Sequence, residues 1–225
     1  VAAAREALAR FEAIGARVDP GVLIERSLPV HPALATLFPA GLPRGATIAV
    51  TGDAAVSSAF VLLSAATRAG SWSGVVGVAG LGARAAAEAG VDLCRLIMVR
   101  DAPGHRDDER WAQVLGALVD GFDLVVVGMA ERVRPVTARR VQARVQVRGS
   151  VLVVLGDPGP FSCDLRLVSR ARWEGLGDGH GHLRSREVAV VLDGRRVPRP
   201  RRSSLCLPDA AGRVVPALAP LGRVG

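Results

Sequence analysis

The sequence predicts a three-layer α/β domain built on a mostly parallel central sheet, and three observations carry that expectation. Apolar runs of strand length alternate with helical segments from residue 46 to residue 155. Two of these runs, LVVVG at 124–128 and VLVVL at 151–155, are apolar throughout, as strands buried on both faces must be. The chain has 225 residues, 49% hydrophobic and 22% charged, which is enough for one full core and too apolar for a disordered chain. Strands that alternate with helices pair in parallel through crossover connections.

Taken in order, residues 2–17 fit a helix with Ala4, Leu8 and Phe11 along one face, stopped by Asp19-Pro20. Segment 21–45 is Pro-rich and loop-like, with a short helix around His31–Leu37. Strands are expected at 46–51, 74–79, 95–99, 123–128 and 151–155, and helices at 54–69, 82–89, 107–120 and 137–148. From 163 the rhythm changes, and CDLRLVS, RWEGL and REVAVVL read as shorter, consecutive, antiparallel strands. The stretch beyond Leu192 is rich in Arg and Pro, a composition that stays extended and unfolded alone. Three units result: an N-terminal helix and linker (1–22), a core (23–192) and a basic C-terminal extension (193–225).

The charge balance is basic, 29 Lys+Arg against 21 Asp+Glu for a net +8, and every one of the basic residues is arginine. Such a balance favours nucleic acid or an acidic protein as partner. Cys94, Cys163 and Cys206 are odd in number and form no C-x-x-C pair, so neither a disulfide framework nor a zinc site is indicated. The start VAAAREALARFEA carries charges throughout, unlike a secretory signal, and no apolar run approaches the roughly 18–20 residues of a membrane span. A cytoplasmic protein without a membrane partner is expected.

The stretch 41–60, GLPRGATIAVTGDAAVSSAF, has the layout of strand, glycine loop and helix that cradles a triphosphate. Its chemistry is missing. Against G-x-x-x-x-G-K-[ST], Gly52 opens the pattern, but Ser57 replaces the second Gly, Ser58 the Lys and Ala59 the Ser/Thr that would hold Mg²⁺. The helix beginning near Ala54 still offers backbone N–H groups and the positive end of its dipole. Asp53 at that mouth is expected to act as N-cap and to fill the anion position with the protein's own carboxylate.

Residues 23–192 resemble the core of RecA-family recombinases. The resemblance rests on the lead GLPRG, on AAAEAGVD (85–92) followed by LCRLIMVRDAPG, on FDLVVVG (122–128) and on the closing strands LRLVSRARWEGL and REVAVVLDGRR. It implies a three-layer RecA-like domain, preceded by a helix and followed by the basic extension. Within this superfamily the lost phosphate loop, the small size and the basic tail resemble the ImuA-type accessory proteins of damage-induced mutagenesis. SulA-type cell-division inhibitors are a second group of this kind, and a DNA-binding regulator of recombination a third possibility. The ImuA resemblance implies an inactive Y-family polymerase homologue and an error-prone replicative-type polymerase as partners, with RecA and non-specific DNA as further ones, and nucleoid association when engaged.

The same resemblance locates the remaining ATPase positions, and none holds a suitable residue. The second acidic strand ends in Gly128, the catalytic glutamate falls at Val78 or Gly80, and Asp157 stands where a γ-phosphate-sensing Gln belongs. Losing one transition-state donor costs about 10²–10³ in rate, so losing several leaves no plausible turnover. A non-catalytic chain without nucleotide cofactor is expected.

Four other constellations are candidates for binding. Arg140, Arg144 and Arg148 recur at helical spacing after Arg132 and Arg134, and either follow a phosphate backbone, dock an acidic partner or form a solvated face. Arg195, Arg196, Arg199, Arg201 and Arg202 make a cationic arm that contacts DNA or an acidic groove, with Leu205 and Leu207 as its apolar anchor on a partner, or else form an unstructured solubilising tail. Leu8 and Phe11 offer a helix face either for docking on self, on RecA or on a polymerase, or for packing on the chain's own core. Asp178, His180 and His182 lack a third firm ligand and read as a hairpin loop rather than a metal site.

Overall fold

The computed structural model describes residues 27–217 except 80, 100–106, 129, 178 and 179, and the side chains of these residues except 131, 176, 177 and 180–183. The helix expected at 2–17, with Leu8 and Phe11, lies outside the described residues.

A nine-stranded sheet forms the middle layer, in the order β11-β10-β9-β8-β3-β7-β6-β4-β5. Its parallel half consists of β3 (Thr47–Gly52), β4 (Ser73–Val76), β5 (Leu96–Val99), β6 (Leu124–Val127) and β7 (Val151–Leu155). These are the five expected strands, each within a few residues of its sequence position. β8 (Leu165–Gly177) pairs in parallel with β3 and then opens an antiparallel half with β9 (His180–Gly194), β10 (Arg201–Cys206) and β11 (Val215–Pro216). β1 (Ser27–Leu28) and β2 (Leu42–Pro43) form a separate two-stranded ribbon around a 3₁₀ turn at Pro32–Leu34.

Among the described residues four helices flank the sheet: α1 (Ala55–Arg68), α2 (Ala83–Glu88), α3 (Asp108–Gly121) and α4 (Pro135–Arg148). Local chemistry sets their ends. The Asp107 carboxylate accepts from the Arg110 N–H, with Asp108 and Glu109 in the first turn against the helix dipole. Proline opens α4, and Gly149 closes it in the left-handed region at φ 69°.

Two cores follow from the period-2 alternation of the strands. One face packs Ile48, Val50, Val153, Leu165 and Leu167 against Phe60, Leu62 and Leu63 of α1 and the 28–42 segment. The other packs Val125, Val127, Leu152 and Val154 against Trp111, Leu115 and Leu118 of α3 and Val141 and Val145 of α4. Both layers of helix that the sequence predicts are present, so the three-layer α/β fold with a mostly parallel sheet is the fold observed.

Two readings of the C-terminal third need correction. CDLRLVS and RWEGL are one continuous strand, β8, which makes a single long hairpin with β9. Beyond Leu192 the chain is no loose arm: β10 pairs with β9 from Arg201↔Leu192 to Cys206↔Glu187. Leu205 is 0% exposed and Leu207 4%, and both belong to the core shared with α1, so they are not an anchor for a partner. The Arg/Pro composition misled because the strand keeps its apolar pair for the inner face while Arg202 points outward.

Candidate functional site

The junction of β3 and α1 is where a nucleotide would have to sit. β3 ends at Gly52 and α1 begins at Ala55, which leaves Asp53 and Ala54 as the whole connection. A triphosphate cradle is built from consecutive loop N–H groups. Here the Asp53 N–H donates to the Ser169 carbonyl of β8 at 3.2 Å. Gly52 sits at φ 97°, and a Cβ there would lie 1.8 Å from that same carbonyl. The strand crowds the junction so closely that only glycine fits.

The substituted positions are placed differently from one another. Ser58 is 1% exposed, its backbone N–H already in the first helical bond to Ala54, and its buried hydroxyl has no partner among the described residues. A side chain at 58 therefore points into the protein, not at a phosphate. Ala59 is buried as well, whereas Ser57 faces the mouth.

What reaches that mouth is Arg186 of β9. Its Nη2 donates to the Ser57 hydroxyl at 2.7 Å, its Nε donates to the Leu207 carbonyl at 2.7 Å, and its guanidinium lies 4.8 Å from the ring centre of Trp173. Burial lowers the Arg186 pKa. A cavity of about 380 Å³ continues from this point between α1, α2 and the 207–214 segment, with Phe60, Ala89, Pro208 and Val214 in its walls. Asp53 does not cap α1, which corrects the expectation from sequence: the N-cap is Ala54 and no side chain bonds to it. The helix starts one residue later than an Asp53 cap requires, and the exposed carboxylate is left outside.

The other ATPase positions are equally occupied by structure. The Gly128 N–H donates to the Val76 carbonyl, and a Cβ at 128 would lie 2.4 Å from the Gly77 carbonyl, so an acidic side chain has no room there. Val78 packs on the first core. Gly80 lies outside the described residues. Asp157 closes its own turn by accepting from the Gly159 N–H at 2.9 Å. The residues present do not fit a nucleotide-magnesium complex.

The arginines expected to bind partners divide into tied and free ones. Arg144 and Arg148 both place Nε 3.0 Å from Asp120 Oδ1 and brace α4 against α3, while Arg140 is exposed. Arg195 and Arg196 hold Asp164 at 3.3 and 3.6 Å, and Arg201 donates to the Leu37 carbonyl at 2.8 Å. Arg199 and Arg202 are exposed. Asp178 falls outside the described residues, as do the side chains of His180 and His182. Among the described residues no group of three or more His, Cys, Asp or Glu could hold a metal ion, and no helix is long and apolar enough to cross a membrane.

The model of the family described as the MT3502 N-terminal domain matches residues 36–160, more than half of the chain. The chain belongs to that family. The MT3502-type region thus runs from the loop before β2 to the end of the parallel half of the sheet, and the closed β3–α1 junction lies within it. The uncharacterized protein Rv3395c of Mycobacterium tuberculosis is 38% identical over 122 residues, 52% of this chain and 56% of that relative, so the chain spans little more than half of the relative's length. The crystal structure of the RadB recombinase is similar at a TM-score of 0.56 and 15% identity, over 77% of this chain and 92% of that one. This likeness establishes the RecA-like fold of the MT3502-type chain.

Sequence reasoning missed Arg186 and Trp173. They are directly opposite each other in the β8–β9 register, a pairing readable only once RARWEGL and SREVAVVL are aligned as one hairpin.

Proposed function

We propose that this chain is a non-catalytic RecA-like interaction module, a pseudo-ATPase that serves damage-induced translesion synthesis as an accessory factor. Its partners on this reading are an inactive Y-family polymerase homologue and an error-prone replicative-type polymerase. The observation that carries the non-catalytic part is the two-residue β3–α1 junction, with the Asp53 N–H spent on Ser169 and Arg186 seated on Ser57. The pathway rests on the resemblance to ImuA-type proteins, and the RecA-like fold is compatible with it.

Purified protein is expected to release no phosphate from ATP-Mg²⁺ and to gain no thermal stability from it. A nucleotide at about 100 times its dissociation constant stabilises by roughly 2.7 kcal/mol. For a chain of this size that is an upward shift of about 5–11 °C, and such a shift overturns the reading. The pathway is tested separately, by affinity purification from damaged cells. Polymerase-type chains are expected to co-purify; filamentation on overexpression, with unchanged mutation rate and no polymerase captured, points to a cell-division inhibitor instead.

A further inference from the structure

The described helices do not cover the whole sheet. On one face, β8, β9 and β10 pack Leu165, Leu167, Val188, Val190 and Leu205 into the first core. The opposite face belongs to the side that α3 and α4 cover over β4, β6 and β7, since Leu152 and Val154 stand beside Thr47 and Ala49 of β3, and Ala49 stands beside Arg166 of β8. The segment 156–164 extends that cover only as far as β3: Gln142 of α4 accepts from the Ser162 N–H and donates to the Ser162 carbonyl, and Phe161 joins the second core. Beyond it no described helix lies over β8, β9 and β10. Three adjacent strands span about 10 Å, the diameter of one α-helix.

The chemistry of this strip is mixed in a definite pattern. One cross-strand row reads Val168–Val191–Arg202 and the next Arg170–Ala189–Ser204. Val168 is 38% exposed although it lies in the middle of a nine-stranded sheet. Arg166 faces Asp193 below, and Arg172 lies 3.6 Å from Glu187 above, so both ends are balanced. Arg170 and Arg202 flank the apolar centre, exposed and with no ion pair among the described residues.

The geometry points to this strip as a docking face for an acidic amphipathic helix of a partner protein, its apolar stripe over Val168, Ala189 and Val191 and its carboxylates on Arg170 and Arg202. The strip is the width of one helix, its centre is apolar with Val168 38% exposed, and two unbalanced guanidiniums select carboxylates. The chain's own N-terminal segment 1–26 has four arginines against four carboxylates, so it is neutral and brings no acidic excess to this face. Single-stranded nucleic acid is disfavoured because base stacking needs aromatic rings. Trp173, the exposed aromatic residue among those described, is on the other face with Arg186, and two carboxylates share this one.

The inference rests on the partner-binding reading above, so the test separates the two. The full chain carries a photo-cross-linking residue at 168 or 191, or at Val147 on α4 (85% exposed) as control. It is probed with the co-purifying polymerase-type chain and, separately, with a labelled 20-nucleotide oligothymidine. Cross-links from 168 and 191, and not from 147, to an acidic helical segment are expected. Arg170→Glu with Arg202→Glu is expected to weaken capture at least about tenfold, and as exposed substitutions these should leave the melting temperature nearly unchanged. Capture unaffected by the double variant, or cross-links elsewhere, overturns the docking face and leaves the accessory reading standing. Cross-linking of the oligonucleotide, or of a second copy of the chain, assigns the face to another ligand and also overturns it. If no polymerase-type chain co-purifies with the parent protein, both fall.

Discussion

Replacing Leu205 by alanine is a direct probe of whether the segment after Leu192 belongs to the fold. Leu205 is fully buried, lies opposite Val188 in the β9–β10 register and shares a core with α1. Truncating a buried leucine removes its transfer free energy and leaves a cavity, at a cost of about 2–5 kcal/mol. For a chain of 150–250 residues each kcal/mol moves the melting temperature by about 2–4 °C, so a drop of about 4–20 °C is expected. Arg202→Ala on the same strand is the control; its side chain points to solvent and the expected change is within about 0.5 kcal/mol. Thermal melts followed by circular dichroism measure both. Deleting 193–225 should be worse than Leu205→Ala, because it also uncovers Val188, Val190 and Leu192 and removes the Leu207 carbonyl that holds Arg186. A Leu205→Ala protein that melts within one or two degrees of the parent, by about the same measure as the control, refutes the assignment of β10 to the core.

Further outcomes follow from single positions. Gly52→Ala forces a Cβ against the Ser169 carbonyl at a positive φ and is expected to cost more than about 4 kcal/mol, read by urea denaturation; Gly128→Asp, an attempt to restore an acidic residue, is expected to destabilise through the Gly77 carbonyl and to confer no ATPase activity. The His31 pKa is lowered from 6.5, first by burial and then by the Arg68 charge, so the unfolded chain takes up this proton at higher pH than the folded one. The stability this group contributes is complete above the unfolded value and is lost as pH falls below it. His31→Asn keeps an acceptor for the Ala33 N–H and should flatten the decline in melting temperature between about pH 7 and pH 5; an unchanged slope refutes the assignment.

The parallel half of the molecule was legible in the sequence because each element announces itself through one local rule. LVVVG and VLVVL are doubly buried strands, and Pro135 and Gly149 bracket a helix that periodicity alone placed two residues short at its start. The antiparallel half was legible only in part: the β8 and β9 segments read as antiparallel strands, but the continuity of β8 and the strand β10 did not show, because their signals are non-local. RRSSLC has no strong strand pattern of its own and becomes a strand by pairing with β9. The replaced phosphate-loop positions could be read residue by residue, down to the absence of lysine in the chain. The manner of closure could not, since Ser169 and Arg186 meet the junction only through the sheet. The acidic Asp53 looked like the plug because sequence proximity favours a local cap, yet the groups that close the site come from more than a hundred residues away.

The β8–β9 hairpin joins these findings into one argument. Its edge toward β3 supplies the Ser169 carbonyl that accepts from the Asp53 N–H, and its inner face the Arg186 guanidinium that donates to Ser57 and Leu207. Its outer face supplies Val168, Arg170 and Val191. A strand that closes a ligand site on one side is fixed there by hydrogen bonds, and a fixed strand presents its other side without further loss of conformational entropy on docking. On the proposed reading, the hydrogen bonds that occupy the β3–α1 junction also preorganise the open strip. A RecA-like domain that cycles with nucleotide needs mobility at this junction, whereas one that serves only as a docking platform gains from rigidity at the same place.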